Sequence, residues 1–421
     1  MRKSLVCLCL LAFCLFGNLA AFGQQNTAKV PRHPVVVGSG FFSSLNTKPK
    51  HMSVNKLSAS TSAAAKQQSP RIVSVPNFTR SFTFGGQTFP YTMVGQDPTK
   101  NETTVVPTQY VPMSFFFDEF VDQNGNNIVI DATTITDEIR HSPLFEPSQF
   151  ATGFTQYEDA DMRAEFFSLF HGHGHDGDGH DRGDSFHVLL GHPQTLIPVQ
   201  IEVPFGSSQV FADAAGNFFA LIDINFINSQ LNTLVQTEPI NVQSIPIFLT
   251  RNAVYGDFVA QQPVDCCIGG FHGAFEVNQT NNKIFVQTFD FTVSLDAAVA
   301  NDIFGDPTIF ADIFALSHEL GETLNDPFVN NVTPNYQLPG FPPGACQNVL
   351  EVGDIVEAQP NPSQPITLNG FTYHPQTLAL LQWFEGINPS DAFNGDYSFP
   401  DPTVLTVAGG TAPFSPCPTG P

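Results

Sequence analysis

His318, Glu319 and Glu322 fall within the stretch DPTIFADIFALSHELGETLNDP, residues 306–327. Residues four apart on an α-helix share a face, because successive residues turn by about 100°. His318 and Glu322 are such a pair, with Glu319 at the edge of the same face. An imidazole and a carboxylate on adjacent turns can reach one divalent cation, and a second carboxylate beside them is placed to take a proton from a water molecule polarised there. The rest of the stretch is apolar: Phe310 and Phe314 form one ridge, and Leu316, Leu320 and Leu324 form another. A helix apolar on two sides is a buried helix. Burying three ionisable groups without partners costs several kcal/mol. A divalent cation is the simplest compensation; a His–Glu pair held by hydrogen bonds alone is the alternative.

The elements that position these groups are marked in the sequence. Asp306 suits an N-cap and Pro307 the first helical position, while Asn325-Asp326-Pro327 ends the run, so the spacing predicts a helix over 307–325. The pattern is H-E-x-x-E: Glu322 stands where the zinc motif H-E-x-x-H has its second histidine, and a carboxylate there is harder and more negative. A catalytic zinc takes three protein ligands and keeps one open position. Candidates for the third are Asp326, Glu351 and Asp354, the last two in E-V-G-D, where Gly353 lets the chain bend inward. His272, in Gly270-Phe271-His272-Gly273, lies between glycines, as a backbone close to a site would. Each of these also reads as an ordinary turn residue, and His374 in YHPQT reads as structural.

Composition sets the wider limits. Lys and Arg number 16 against 39 Asp and Glu, a net charge of −23, which argues against nucleic acid or an anionic membrane as partner. Phe numbers 42, with 34 Pro and 32 Gly, so the 421-residue chain has the apolar surface for a large core and a strand-rich, turn-rich architecture. Arg2 and Lys3 before the apolar run 5–16, with Ala21-Phe22-Gly23 ahead of Gln24, predict a secretory signal peptide over 1–23 cleaved near Gly23, and hence export. No later run is long and apolar enough to span a bilayer. Beyond the signal segment, Cys266, Cys267, Cys346 and Cys417 predict two disulfides; adjacent cysteines rarely bond to each other, so Cys266 and Cys267 are each expected to tie a different segment to the core.

Along the chain, residues 24–70 form a polar, low-complexity leader. From Arg71, runs such as SFTFGG, TTVVPTQYVPMSFFF and NNIVIDAT predict strands, with a turn at Asp122–Asn127. The second half of 147–170 carries a helical pattern. His171–Asp184, HGHGHDGDGHDRGD, reads as a glycine-rich loop that could bind a metal loosely, or as a simple insertion. QTLIPVQIEVPF, NFFALIDINFI, SIPIFLT and the segments flanking GFHG predict further strands, and FTYHPQTLALLQWFEGI a strand turning into a short helix. The expected organisation is α+β: a β-rich N-terminal domain over 71–200, then a domain over 201–421 carrying the buried HExxE helix.

H-E-L-G-E-T-L-N-D-P, preceded by G-F-H-G and followed by E-V-G-D, resembles a group of secreted bacterial zincin-like proteins and, more distantly, the plant phosphate-induced, EXORDIUM-like family. The likeness covers roughly residues 265–385 and matches His318, Glu319, Glu322, Glu351 and Asp354; Val356 stands where those proteins often have cysteine. It implies a zincin-like second domain. With the spacing, it leads to the expectation of an exported zinc-dependent hydrolase, most simply a peptidase, with one zinc ion. His318, Glu322 and Asp354 or Glu351 would be ligands, Glu319 the general base and His272 a group steadying the oxyanion. The alternatives are a non-catalytic extracellular binding protein on a degenerate zincin scaffold, and a metal-sequestering protein using the His171–Asp184 tract.

Overall fold

The computed structural model describes residues 33–37, 42, 45, 47–51, 71–167, 169, 185–213, 215–280, 283–338, 346–357, 359–381, 383–384, 396–405 and 417. The expected signal segment, most of the leader and the His171–Asp184 tract lie outside these.

The fold is mixed α+β and strand-rich, built on a curled 14-stranded sheet. Its longer strands are β1 (Thr108–Val121), β2 (Ser208–Ala212), β3 (Phe218–Asp223), β4 (Ile245–Arg251), β5 (Ala253–Gly256), β6 (Cys266–Thr280) and β7 (Lys283–Ser294). They run β1-β4-β7-β6-β5-β3-β2 across the sheet. β1, β4 and β7 are parallel, whereas β6 is antiparallel to both β7 and β5. Besides the short helix Thr136–Arg140, the described α-helices include α1 (Tyr157–Glu165), α2 (Ile224–Thr237), α3 (Ala297–Phe304), α4 (Phe314–Asn325) and the single turn α5 (Asp354–Glu357). The division expected at 200/201 falls inside the strand Val199–Glu202, which pairs with β1 in this same sheet.

Alternation along the strands sorts side chains onto two faces. Phe271 of β6 and Phe289 and Phe291 of β7 join Phe248 of β4 in a core that also takes Ile227 and Leu231 of α2. The neighbours His272 and Asp290, opposite each other in the β6–β7 register, are thereby turned to the other face, where α4 lies. α4 is buried along its whole length. Leu316, Leu320 and Leu324 enter one hydrophobic cluster and Phe310 and Phe314 another, as the two ridges require.

Several expectations need correction. The helix begins at Phe314, not at residue 307. Phe310 and Asp312 have φ of 56° and 40°, in the left-handed region that a right-handed helix cannot pass through. Asp306 caps only a turn, accepting from the Thr308 N–H at 2.9 Å, and Phe310 instead accepts from the Leu295 N–H. The segment NFFALIDINFI is a strand only to Asp223. The Asp223 carboxylate accepts from the Asn225 N–H and starts α2, whose Ile224, Ile227, Leu231, Leu234 and Val235 are buried at helical spacing. After the strand Phe371–Tyr373 there is no helix among the described residues, because the Ala379 and Leu380 N–H groups bond to Val352 and Tyr397 carbonyls.

Cys266 and Cys267 are bonded to each other, and Cys346 to Cys417, so the adjacent pair does not tie separate segments. Cys346 and Cys417 stand 6.0 Å apart at Cα, within the ordinary disulfide range, which leaves the two buried neighbours as partners. Thiol titration of the denatured, unreduced protein is expected to find no free thiol among these four, and peptide mapping to recover Cys266 and Cys267 in one unlinked peptide. A link from either to Cys346 or Cys417 would contradict this pairing.

Candidate metal centre

All six residues expected at the site converge between α4, β6 and the turn entering α5. β6 supplies His272, α4 supplies His318, Glu319 and Glu322, and the segment before and into α5 supplies Glu351 and Asp354. His272, His318 and Glu319 are completely buried, Glu322 and Glu351 nearly so, and only the Asp354 side chain, 28% exposed, reaches solvent.

Two groups of three share one carboxylate. His318 Nε2 lies 3.1 Å from Glu322 Oε1 and 3.7 Å from Asp354 Oδ1. On the other side, His272 Nδ1 lies 3.2 Å from Glu322 Oε2 and 3.7 Å from Glu319 Oε2, and its Nε2 lies 3.8 Å from Glu351 Oε2. Neither ring nitrogen of His272 makes a hydrogen bond of good geometry, and neither Glu351 oxygen has any hydrogen-bond partner.

Backbone and glycine make this density possible. The Gly353 and Asp354 N–H groups donate to Glu322 Oε1 at 3.1 and 3.2 Å. A β-carbon on Gly353 would come within 2.6 Å of the His318 ring, and one on Gly270 within 2.6 Å of Glu319 Oε1. Each glycine therefore lets its strand or turn press directly on an α4 side chain of the site.

Gln376, which the sequence did not single out, fixes the imidazole of His318. Its Nε2 donates to the Gly353 carbonyl at 2.7 Å, so its amide oxygen faces His318 Nδ1 at 3.0 Å. In its neutral form His318 then carries its proton on Nδ1, with the Nε2 lone pair turned toward Glu322 and Asp354. This is the way an outer partner sets a metal-ligating histidine.

Asp326 stands apart. Its two oxygens accept from the Asn330 and Asn331 N–H groups at 3.0 and 2.9 Å, which ties off the end of α4. His374 is structural, as expected: Nδ1 and the backbone N–H both meet Asp312, at 2.7 and 2.8 Å.

The charges are mutually dependent. Burial alone would lower both histidines, but Glu351 with Glu319 and Glu322 pushes His272 well above its ordinary value, and Glu322 with Glu319 and Asp354 does the same to His318. Glu322 is held well below the usual carboxylate range, because His318 and His272 outweigh its burial. Burial raises Glu319 to about 8 despite both histidines, and burial with Glu322 raises Glu351 well above its ordinary value. Without a cation the cluster therefore retains protons at neutral pH.

Behind α4 lies a second set of buried acids that the sequence did not reveal: Glu158 and Asp161 on α1 and Asp290 on β7. Thr323 of α4 donates to Asp290, and Gly321 lets Glu158 come close to α4. Burial pushes Asp161 to about 8. Between its ordinary value near 3.8 and 8, the folded state holds a proton that the unfolded state has lost. The stability that Asp161 contributes should therefore fall as pH rises from 5 to 8, by at most about 1.4 kcal/mol per unit. Asp161→Asn should flatten that slope in denaturant titrations; an unchanged slope would show that Asp161 is not protonated in the fold.

Comparison with family models, with curated proteins and with solved structures finds no match to this chain.

Proposed function

We propose that the cluster binds a divalent metal ion and that the protein is an exported metal-dependent hydrolase, with peptides as the substrate class. The observation that carries this reading is the buried His318: Gln376 turns its Nε2 lone pair onto Glu322 and Asp354, with Glu319 one position along the helix. One histidine and two carboxylates match the ligand count of a catalytic zinc, and zinc is the ion we propose.

An ion held there would polarise a water molecule and the carbonyl to be cleaved. The chain's own residues do the rest. Gln376 keeps neutral His318 in the tautomer whose Nε2 lone pair faces Glu322 and Asp354. The Gly353 and Asp354 N–H groups orient Glu322. Glu319, raised to about 8 in the ion-free cluster, would act as general base once a cation nearby favours its ionised form, then pass the proton to the leaving amine. Water and substrate would enter from the Asp354 side, where the cluster meets solvent. His272 was expected to steady an oxyanion; its complete burial between Glu322 and Glu351 suits a ligand better than a group facing substrate.

A second reading is a non-catalytic, metal-containing binding protein on a zincin-like scaffold. One observation favours it: Glu319 is completely buried, with its Oε1 against Gly270. Cleavage of casein and of broad peptide libraries by the mature protein, with and without chelator, decides between them. Chelator-sensitive cleavage is expected; none on any substrate would leave the binding-protein reading.

A further inference from the structure

We infer that this centre holds two divalent ions bridged by the Glu322 carboxylate. The inference rests on the metal-centre reading above and extends it.

Glu322 presents its two oxygens to two different ligand sets. Oε1 faces His318 Nε2, which also lies beside Asp354 Oδ1; Oε2 faces His272. Each set has the same composition, one imidazole and one further carboxylate, Asp354 on one side and Glu351 on the other, around the shared Glu322. A carboxylate that offers one oxygen to each of two ions is suited to the roughly 3.5–4 Å separation of dinuclear hydrolytic sites.

Two independent observations point to the second ion. His272 is completely buried, and neither of its ring nitrogens has a hydrogen-bond partner, although both face carboxylates. Glu351 is 2% exposed, and neither of its oxygens has one either. A single ion on His318, Glu322 and Asp354 would leave both residues as they stand, a buried imidazole and a buried carboxylate lacking the hydrogen bonds such groups ordinarily make. The charges point the same way. Fully ionised, as bound cations require, Glu319, Glu322, Glu351 and Asp354 would bring four negative charges beside two histidines. With neutral imidazoles, one divalent ion leaves a net double negative charge in a buried site, and two ions leave none.

The test is metal stoichiometry with manganese as probe. The mature protein is stripped with chelator, reloaded with Mn²⁺, freed of excess and analysed for metal per chain and by electron paramagnetic resonance. Two ions per chain with an exchange-coupled spectrum are expected. One ion with an uncoupled spectrum overturns the bridged pair and leaves the metal-centre reading intact, whereas no retained ion overturns both. His272→Ala and the near-isosteric Glu351→Gln should each fall to one ion and lose the coupling. Two coupled ions in Glu351→Gln, or in a folded His272→Ala, would overturn the assignment of those residues.

Discussion

Glu319→Gln is expected to keep its metal and lose nearly all hydrolysis. The substitution preserves shape and most hydrogen-bonding capacity but removes the carboxylate proposed to accept the proton of the attacking water. A positioned general base contributes about 10²- to 10⁴-fold in rate, and the loss should lie in that range in kcat. Glu319 lies 3.7 Å from His272 and outside both three-residue ligand groups, so metal content should not change. Elemental analysis and steady-state kinetics on one preparation separate the two effects. A variant that cleaves as fast as the unaltered protein would rule out Glu319 as the base. A variant that loses its metal would make Glu319 a ligand.

Stripping the metal is expected to lower the melting temperature, and the loss should grow with pH. An ion that binds only the folded state stabilises it by about 4 kcal/mol when present at a thousand times its dissociation constant. The ligands must shed protons to bind it. In the ion-free fold, burial and Glu322 keep Glu351 protonated, and Glu322 and its neighbours, against burial, keep His318 protonated. At low pH these protons compete with the ion, so the gap between native and chelated protein should be small near pH 5 and large near pH 8. Thermal scans of both forms across that range test it. A gap that is absent, or that narrows as pH rises, would contradict a metal-stabilised cluster.

The chemistry of the site was more legible than its frame. His318 and Glu322 could be paired because helical spacing is local, and Gly270 before His272 and Gly353 before Asp354 do mark close approaches of backbone to the site. What brings those three segments together is non-local: the β6–β7 register places His272 opposite Asp290 beneath α4, and no short-range pattern encodes that pairing. The start of α4 was misplaced for the same reason. Asp306-Pro307 is a good helix opening, but the link of Phe310 and Ala311 to Leu295 holds residues 310–312 out of the helix. The helical pattern in the second half of 147–170 gave helix α1, YEDADMRAE, but not its burial: all nine residues are buried, because it packs between α4 and the strand His187–Leu190. Gln376 gave no signal in sequence; its role exists only because both ends of its amide find partners from distant segments.

Elemental analysis of the mature protein and of His318→Ala, each after dialysis against a mild chelator, tests the metal centre most directly. His318 contributes the nitrogen that Gln376 orients, and its removal leaves Glu322 and Asp354 without it. Divalent metal is expected to survive dialysis in the unaltered protein, and His318→Ala is expected to lose the tightly held ion beside Asp354. A metal-free unaltered protein, or full metal content in the variant, would contradict it.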